Sequence, residues 1–249
     1  MTIAHITDLH LRRHLPGTAR IAARRSREIP DLLEKAAVRI RAMAPDLVVL
    51  TGDLLDYPLD ALDDDATRRN GERDLRLIAE LLEPIPCPIA IVHGNHDHPR
   101  LVRSVFASVP AEFTVAGYRV VSFFDDEAEH NVPHRTGDDR HRFENALDDR
   151  DPTPQIHVQH YLIRPHVSRG YPFNYADADE LGKRIADSGK VRLVVSGHYH
   201  EGHTPERVHA TTTWFATAPA FAEAPHPVWF YHLDGETVSK DAWYAGESL

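Results

Sequence analysis

The chain alternates short runs of apolar, β-branched residues with longer segments in which apolar residues recur at helical spacing. The short runs predict strands at Ile3–Thr7, Leu47–Thr51, Ile89–His93, Tyr118–Phe124, Ile156–Gln159, Val191–Ser196, Thr211–Thr217 and Val228–Leu233. The helical spacing predicts helices within Ala19–Met43, at Leu75–Leu82 and at Ala178–Ser188. Strands and helices alternate over the first two-thirds, and strands dominate after Val191. We therefore predict a layered α/β sandwich with two sheets inside and helices outside.

The segment Asp125–Asp151 departs from this pattern. It is rich in Asp, Glu, His and Arg and poor in aliphatic residues. This composition favours a solvated surface loop or insertion, with a lid over a nearby site as the alternative. No repeat and no low-complexity linker divides the sequence, so residues 1–249 are predicted to form a single domain.

Charge narrows the classes of function. The 249 residues include 38 acidic and 28 basic side chains, which gives a formal net charge of -10. Binding to a nucleic-acid backbone requires a basic face, so the charge disfavours nucleic acid as a partner. A small phosphate ester stays compatible with this charge, because bound metal ions reverse the local sign.

The cysteine count, the N-terminal residues and the length of the apolar runs indicate the cellular compartment. Cys87 is the single cysteine, so an intrachain disulfide is impossible, which suits a reducing environment. The N-terminal residues lack the basic and apolar regions of a secretory signal. No apolar run reaches the roughly 18 residues that a membrane span needs. We therefore expect a soluble cytoplasmic protein.

Five short polar motifs each follow an apolar run that is predicted to be a strand. They are Asp8-Leu9-His10, Gly52-Asp53, Gly94-Asn95-His96-Asp97, His160 and Gly197-His198-Tyr199-His200. Loops at the carboxyl ends of strands in an open α/β sheet converge on one edge, where ligands bind. Alternate residues of an extended chain point the same way, so both ends of Asp-x-His or His-x-His can face one pocket. Carboxylate and imidazole without thiolate favour Mn, Fe, Zn or Ni as the bound metal.

The five motifs, in this order over residues 8 to 200, resemble the signature of the calcineurin-like metallophosphoesterases. The pattern is most similar to bacterial class III cyclic-nucleotide phosphodiesterase-like members. It differs from the Gly-Asp-x-x-Asp-Arg-Gly and Gly-Asn-His-Glu motifs of protein serine/threonine phosphatases, which disfavours protein dephosphorylation. The resemblance implies a metallo-dependent phosphatase-like fold, a four-layer αββα sandwich of two mixed β-sheets flanked by helices.

The resemblance also implies how the residues share two metal ions. One ion would be held by Asp8, His10, Asp53 and His200, and the other by Asp53, Asn95, His160 and His198. The two ions, divalent or of mixed valence, would be bridged by Asp53 and by a hydroxide that attacks phosphorus in line. His96 would protonate the leaving oxygen or stabilise the pentavalent state, and Asp97 would hold the other nitrogen of that imidazole and raise its pKa.

The implied activity is hydrolysis of a small phosphodiester, with a cyclic nucleotide as one candidate. A phosphomonoester, or a pyrophosphate of a nucleotide or lipid headgroup, stays open as the substrate. Two other classes of function also remain. A catalytically silent interaction scaffold of the same fold would be expected to lose metal ligands or His96, and this chain retains them. A nuclease is disfavoured by the net charge.

Further side chains near the motifs are candidates for contact with the substrate. The four basic candidates are Arg12, His98, Arg100 and His203. An aromatic cluster formed by Tyr171, Phe173 and Tyr175 lies between the His160 and His198 motifs. Aromatic side chains in this position either pack into the core or stack on a flat group of the substrate.

Overall fold

The computed structural model describes residues 1–246. Its strands in chain order are β1 (Thr2–Ile6), β2 (Leu47–Thr51), β3 (Ile89–Val92), β4 (Glu112–Val115), β5 (Tyr118–Ser122), β6 (Asp126–Glu127), β7 (Pro133–His134), β8 (Gln155–Val158), β9 (Val191–Ser196), β10 (His203–Arg207), β11 (Trp214–Thr217), β12 (Pro227–Asp234) and β13 (Thr237–Tyr244). Its α-helices are α1 (Ile29–Met43), α2 (Asp65–Leu82), α3 (Pro99–Val105), α4 (Gly137–Asp148) and α5 (Ala178–Ser188). Within residues 1–246, no helix combines the length and the apolar composition that crossing a membrane requires.

Two large sheets form the centre of the molecule. The first has the order β13-β12-β1-β2-β3, in which β1, β2 and β3 are parallel and β12 runs antiparallel to β1. The second has the order β10-β11-β9-β8-β5-β4, in which β11, β9, β8 and β5 are parallel and both edge strands are antiparallel. Strands β6 and β7 form a separate small ladder. Both large sheets are therefore mixed, as predicted.

Three apolar clusters define the layers. Side chains of both sheets meet in the middle cluster, for example Ile3 and Val49 from the first sheet and Ile156 and Val195 from the second. The outer face of the first sheet packs against α1, α2 and α3. The outer face of the second sheet packs against α4 and α5. This arrangement is the predicted αββα sandwich.

The bounds of two helices refine the prediction. Helix α1 lies within the predicted segment Ala19–Met43 and begins at Ile29, with Pro30 in its first turn. A proline fits the first turn of a helix but would break the interior of a helix that began ten residues earlier. Helix α2 begins at Asp65, ten residues before the apolar stripe, because the Asp64 side chain accepts a hydrogen bond from Thr67 N (2.7 Å) and caps it.

The prediction of a loop at residues 125–151 was wrong, since this segment contains β6, β7 and α4. Helix α4 is highly charged, yet Phe143, Ala146 and Leu147 recur at helical spacing and are buried against the second sheet. Asp125 and Arg135 are also buried and pair with each other at 2.8 Å. A few apolar positions and one internal ion pair thus suffice to fold a segment whose overall composition resembles a loop.

The other unpredicted elements are short or lie at sheet edges. Strands β4, β10 and β13 are edge strands, partly exposed, and carry no continuous apolar run. Helix α3 has seven residues, which is too few for helical periodicity to stand out. The parallel strands that precede the polar motifs, in contrast, all follow the predicted apolar runs.

Candidate metal centre

The five motifs meet at one end of the sandwich. Strands β1, β2 and β3 are parallel neighbours and end just before Asp8, Asp53 and Asn95. Strands β8 and β9 are parallel neighbours in the other sheet and end just before His160 and His198. The carboxyl ends of the two sets of strands face the same space, as the sequence pattern predicted.

Besides a group formed by His10, Asp56 and His96, the acidic and imidazole side chains form two groups that share Asp53. One group contains Asp8, His10, Asp53 and His200, whose ligand atoms all lie within 4.8 Å of one another. The other contains Asp53, His160 and His198 under the same limit. Asn95 joins the second group, because its Oδ1 lies 3.2 Å from His160 Nε2. The grouping is the one that the family resemblance implied.

The spacing of these atoms fits metal coordination. His10 Nε2 lies 3.2 Å from His200 Nε2, and Asp53 Oδ1 lies 3.5 Å from His160 Nε2. Ligand bonds of about 2.0–2.2 Å to a single ion place neighbouring ligand atoms about 3–3.5 Å apart. Asp8 Oδ1 and His198 Nε2 are buried and have no hydrogen-bond partner among residues 1–246. Buried polar atoms are costly without a partner, and a metal ion would satisfy them.

The backbone around these ligands is strained. Asp8, His10, Asp53 and His198 have φ values of 51°, 44°, 49° and 66°, in the left-handed region that non-glycine residues seldom adopt. Hydrogen bonds from Asp8 N to Gly52 O (3.0 Å) and from His10 N to Asp53 O (2.9 Å) hold the first two motifs together. Such strain persists where the surrounding structure fixes it, and it concentrates at functional sites.

Glycine is required where two motifs touch. A Cβ atom on Gly52 would lie 2.7 Å from both Gly94 N and His160 Nδ1. A Cβ atom on Gly94 would overlap the Asp53 carboxylate. Either substitution would push the ligand loops apart, so these glycines set the close approach of the second, third and fourth motifs.

Groups behind the ligands orient the imidazoles. His160 Nδ1 donates to Thr51 O (2.6 Å), so Nε2 faces the shared Asp53. His200 Nδ1 lies 2.7 Å from a carboxylate of Glu223, a residue that the sequence analysis missed. Such partners select the ligating nitrogen of a metal-bound histidine.

The electrostatic field at the centre favours cations. Burial alone would lower the pKa of His200, but its contacts with Asp8 and Glu223 raise it to about 10. The same negative potential would favour a metal ion, which displaces such a proton on binding. Burial holds the pKa of His198 well below its ordinary value, so its imidazole is neutral, the form that binds metal.

His96 lies beside the first group of ligands. Its ring is 4.9 Å from the His10 ring, edge to face, and its backbone N–H donates to Asp53 Oδ1 (2.8 Å). Its Nδ1 lies 3.5 Å from Asp56 Oδ1. Burial would lower the pKa of His96, but Asp53 and Asp56 outweigh burial and raise it. The two carboxylates therefore favour the protonated form of the His96 imidazole.

Asp97 does not contact the His96 imidazole, contrary to the expectation. Its buried carboxylate accepts the N–H groups of Leu54 (3.1 Å), Leu55 (2.8 Å) and Gly94 (2.9 Å). Asp97 thereby fastens the second motif to the third. Asp56, three residues after Asp53, occupies the position beside His96 that was assigned to Asp97.

A cavity of about 380 Å³ lies over the ligands, and we call it the metal-centre cavity. Five of the predicted residues line it: Asp53, Asn95, His96, His198 and His200. The other lining residues are Ile21, Arg24, Arg169, Tyr171, Phe173, Tyr199 and Glu201. Tyr171 and Phe173 lie against the His198 ring, with ring centroids 5.6 and 5.5 Å away. Two members of the aromatic cluster thus face the cavity, whereas Tyr175 is buried beside Asp125.

None of the four basic candidates for substrate contact lines this cavity. Arg12 is buried and donates from Nε to Asp56 Oδ2 (2.8 Å). His98 is buried against Tyr57, and both His98 and Arg100 line a separate cavity that includes no metal-ligand candidate. His203 lies in β10 with its Nε2 3.7 Å from Glu206. Arg24 takes the place expected for these cations, but it lies 14 residues after His10, outside any motif.

Comparison with known proteins agrees with this geometry. A relative from Synechococcus sp., named a probable cyclic nucleotide phosphodiesterase, is 26% identical over 263 residues, covering 100% of this chain and 94% of the relative. A relative from Coxiella burnetii with the same kind of name is 24% identical over 230 residues, covering 88% and 82%. The fold is similar to that of a dimetal phosphatase from Danio rerio, with a TM-score of 0.70, 15% identity and coverage of 100% and 97%. It is also similar to a protein from Thermus thermophilus, with a TM-score of 0.61, 15% identity and coverage of 96% and 97%.

The sequence model of the calcineurin-like phosphoesterases matches residues 1–202, which contain all five motifs. The chain therefore belongs to the calcineurin-like phosphoesterase family, and it is a hydrolase that acts on phosphoric ester bonds.

Proposed function

We propose that this protein hydrolyses a small phosphodiester at a centre of two metal ions, with a cyclic nucleotide as the leading candidate. The observation that carries the proposal is the position of Asp53 in both ligand groups beneath the metal-centre cavity. A shared carboxylate holds two ions close together, which is the arrangement that clamps a phosphoryl group in two-metal hydrolysis. The names of the two relatives support a diester of the cyclic-nucleotide class.

The ligands divide between the ions as follows. Asp8, His10, Asp53 and His200 would hold one ion, and Asp53, Asn95, His160 and His198 the other. This oxygen and nitrogen donor set without sulfur suits Mn, Fe, Zn or Ni. When bound, the ions supply a nucleophilic water near neutral pH and neutralise the charge of the phosphate.

Protein side chains perform the remaining steps. His96, with Nδ1 beside Asp56, has no hydrogen bond at Nε2 among residues 1–246, so that nitrogen can deliver a proton to the leaving oxygen. Tyr171 and Phe173 form an aromatic side of the cavity against which a flat ring can stack. The cavity thus has room for a group larger than phosphate itself.

A substrate panel tests this proposal. The metal-free protein is loaded separately with Mn, Fe, Zn and Ni and assayed with bis-p-nitrophenyl phosphate, p-nitrophenyl phosphate, cyclic AMP and cyclic GMP. We expect metal-dependent turnover with the diesters ahead of the monoester. Faster turnover of the monoester would favour a phosphomonoesterase. No turnover with any metal and any ester would favour the silent scaffold.

A matched pair of variants links turnover to the centre. His96→Ala should bind two metal ions and lose most activity, since general acid catalysis contributes about 10²–10⁴-fold. His203→Ala, which changes a histidine outside the cavity, should remain active. Unchanged turnover in His96→Ala would remove this residue from the mechanism.

A further inference from the structure

Arg24 lies where two cavities meet. It belongs to the connection between β1 and α1, and it lines the metal-centre cavity together with His96. It also lines a neighbouring cavity of about 710 Å³, which we call the side cavity. Ile21, Arg24 and His96 are common to both. The Arg24 guanidinium is therefore adjacent to the reaction space, although no motif contains it.

The hydrogen bonds of Arg24 are incomplete. Its side chain is only 7% exposed, yet its one hydrogen bond among residues 1–246 runs from NH1 to Asp56 Oδ1 at 3.4 Å. Its Nε is buried without an acceptor. Arg12, by contrast, donates from Nε to Asp56 Oδ2 at 2.8 Å and from NH1 to Pro16 O at 2.6 Å. Arg12 already neutralises Asp56, so Arg24 retains positive charge and free donors.

Arg24 lies close to His96, the residue that is expected to act on the leaving oxygen. Asp56 Oδ1, which Arg24 contacts, also lies 3.5 Å from His96 Nδ1. The other cationic side chain that lines the metal-centre cavity in residues 1–246, apart from histidines, is Arg169. Arg169 is 56% exposed and pairs with Glu201. Of the two arginines that line the metal-centre cavity, Arg24 is thus the one that shares its carboxylate contact, Asp56, with another arginine.

We propose, on the basis of the function proposed above, that Arg24 binds a non-bridging oxygen of the substrate phosphoryl group. A guanidinium presents a planar fork of N–H donors that matches phosphate oxygens. Negative charge on these oxygens grows as the fifth bond to phosphorus forms, so the interaction strengthens in the transition state. Arg24 contributes to binding and, more strongly, to the rate.

The test uses inorganic phosphate as well as substrate. The metal-loaded wild type, Arg24→Gln, Arg24→Lys and the control Arg20→Gln are compared. Arg20 lies in the same connection, is exposed and does not line the metal-centre cavity. Phosphate affinity is measured by calorimetry, turnover with bis-p-nitrophenyl phosphate, and bound metal by elemental analysis.

We expect Arg24→Gln to weaken phosphate binding about tenfold or more and to lower kcat/KM about 10²-fold, with metal content and Tm unchanged. Arg24→Lys should fall between Arg24→Gln and the wild type, and Arg20→Gln should match the wild type. Phosphate affinity of Arg24→Gln within twofold of the wild type would overturn the proposal. So would loss of bound metal, since that would show that Arg24 supports the centre. If Arg24→Gln does not fold, Arg24→Lys decides, and wild-type phosphate affinity in that variant would overturn the proposed contact of the guanidinium with phosphate.

The phosphate measurement separates this proposal from the proposed function. A wild type that binds phosphate through Arg24 but hydrolyses no ester would contradict the proposed activity and leave the Arg24 contact established. A wild type that hydrolyses diesters equally well without Arg24 would contradict the contact alone.

Discussion

The substitution Asp97→Asn distinguishes a structural role of the Asp97 carboxylate from a catalytic one. In the protein, Asp97 Oδ2 accepts the N–H groups of Leu54 and Gly94, and Oδ1 accepts that of Leu55. An asparagine can accept at only one of these atoms. If its oxygen takes the position of Oδ2, its NH₂ group faces the N–H of Leu55, donor against donor.

The magnitude follows from these contacts. A hydrogen bond to a charged acceptor contributes about 1.5–3 kcal/mol, and a buried N–H without an acceptor adds a penalty of similar size. We therefore expect Asp97→Asn to lower the free energy of unfolding by about 2–4 kcal/mol. For a chain of this length, about 2–4 °C per kcal/mol gives a decrease in Tm of about 5–15 °C.

Differential scanning calorimetry at pH 8 provides the measurement. Burial and the nearby Asp53 raise the pKa of Asp97 to about 7, so most of its carboxylate is ionised at pH 8. The matched control is Asp60→Asn, at an exposed position of the β2–α2 connection that also carries Leu54 and Leu55, which should leave Tm unchanged. A Tm for Asp97→Asn within 1 °C of the wild type would refute the reasoning. If that variant also lost turnover, Asp97 would act on the chemistry after all.

Three further outcomes are expected. Asp56→Asn should lower kcat at least tenfold while two metal ions stay bound, because His96 loses its carboxylate partner. Steady-state kinetics measure kcat and elemental analysis measures the bound metal. A wild-type kcat would show that the Asp56–His96 contact has no part in catalysis. Arg135→Met should lower the free energy of unfolding, measured by urea titration, by about 3–5 kcal/mol, since it leaves buried Asp125 unpaired. Adding Asp125→Asn to this variant should recover part of the lost stability. An unchanged free energy of unfolding in Arg135→Met would show that the ion pair is dispensable. Burial lowers the pKa of His5 to about 3. Below pH 6.5, His5 is therefore protonated in the unfolded chain but stays neutral in the folded chain. Stability should therefore fall below pH 6.5 by up to about 1.4 kcal/mol per pH unit from this group; His5→Gln should show a shallower decline, and an identical decline would contradict the assignment.

The grouping of the candidate metal ligands could be predicted because these residues follow strands. Each motif comes directly after an apolar run, and parallel strands bring their carboxyl ends to the same edge. Asp8 and His10, for example, follow the buried strand β1, so the sequence places them without knowledge of the loops. The one-residue spacing of Asp-x-His and His-x-His then indicated which side chains face the same pocket.

Residues outside the motifs could not be predicted in the same way. Arg24 lies in an irregular connection whose path depends on tertiary contacts such as Arg25 N to Ala222 O (2.8 Å). Glu223 lies 23 residues after His200, beyond β10 and β11, and no motif marks it. Asp56 offered a signal, since it is a carboxylate three residues after Asp53. The choice between Asp56 and Asp97 required the backbone turn that directs each side chain.

The central claim is that Asp53 is shared by two metal ions. The most direct measurement is the number of ions per chain, by elemental analysis of Mn-loaded protein after removal of free metal, for the wild type, Asp53→Asn and the control Asp60→Asn. We predict two ions per chain in the wild type and in Asp60→Asn, and weakened occupancy of both sites in Asp53→Asn. One ion in the wild type, or loss of only one ion in Asp53→Asn, would contradict the shared carboxylate.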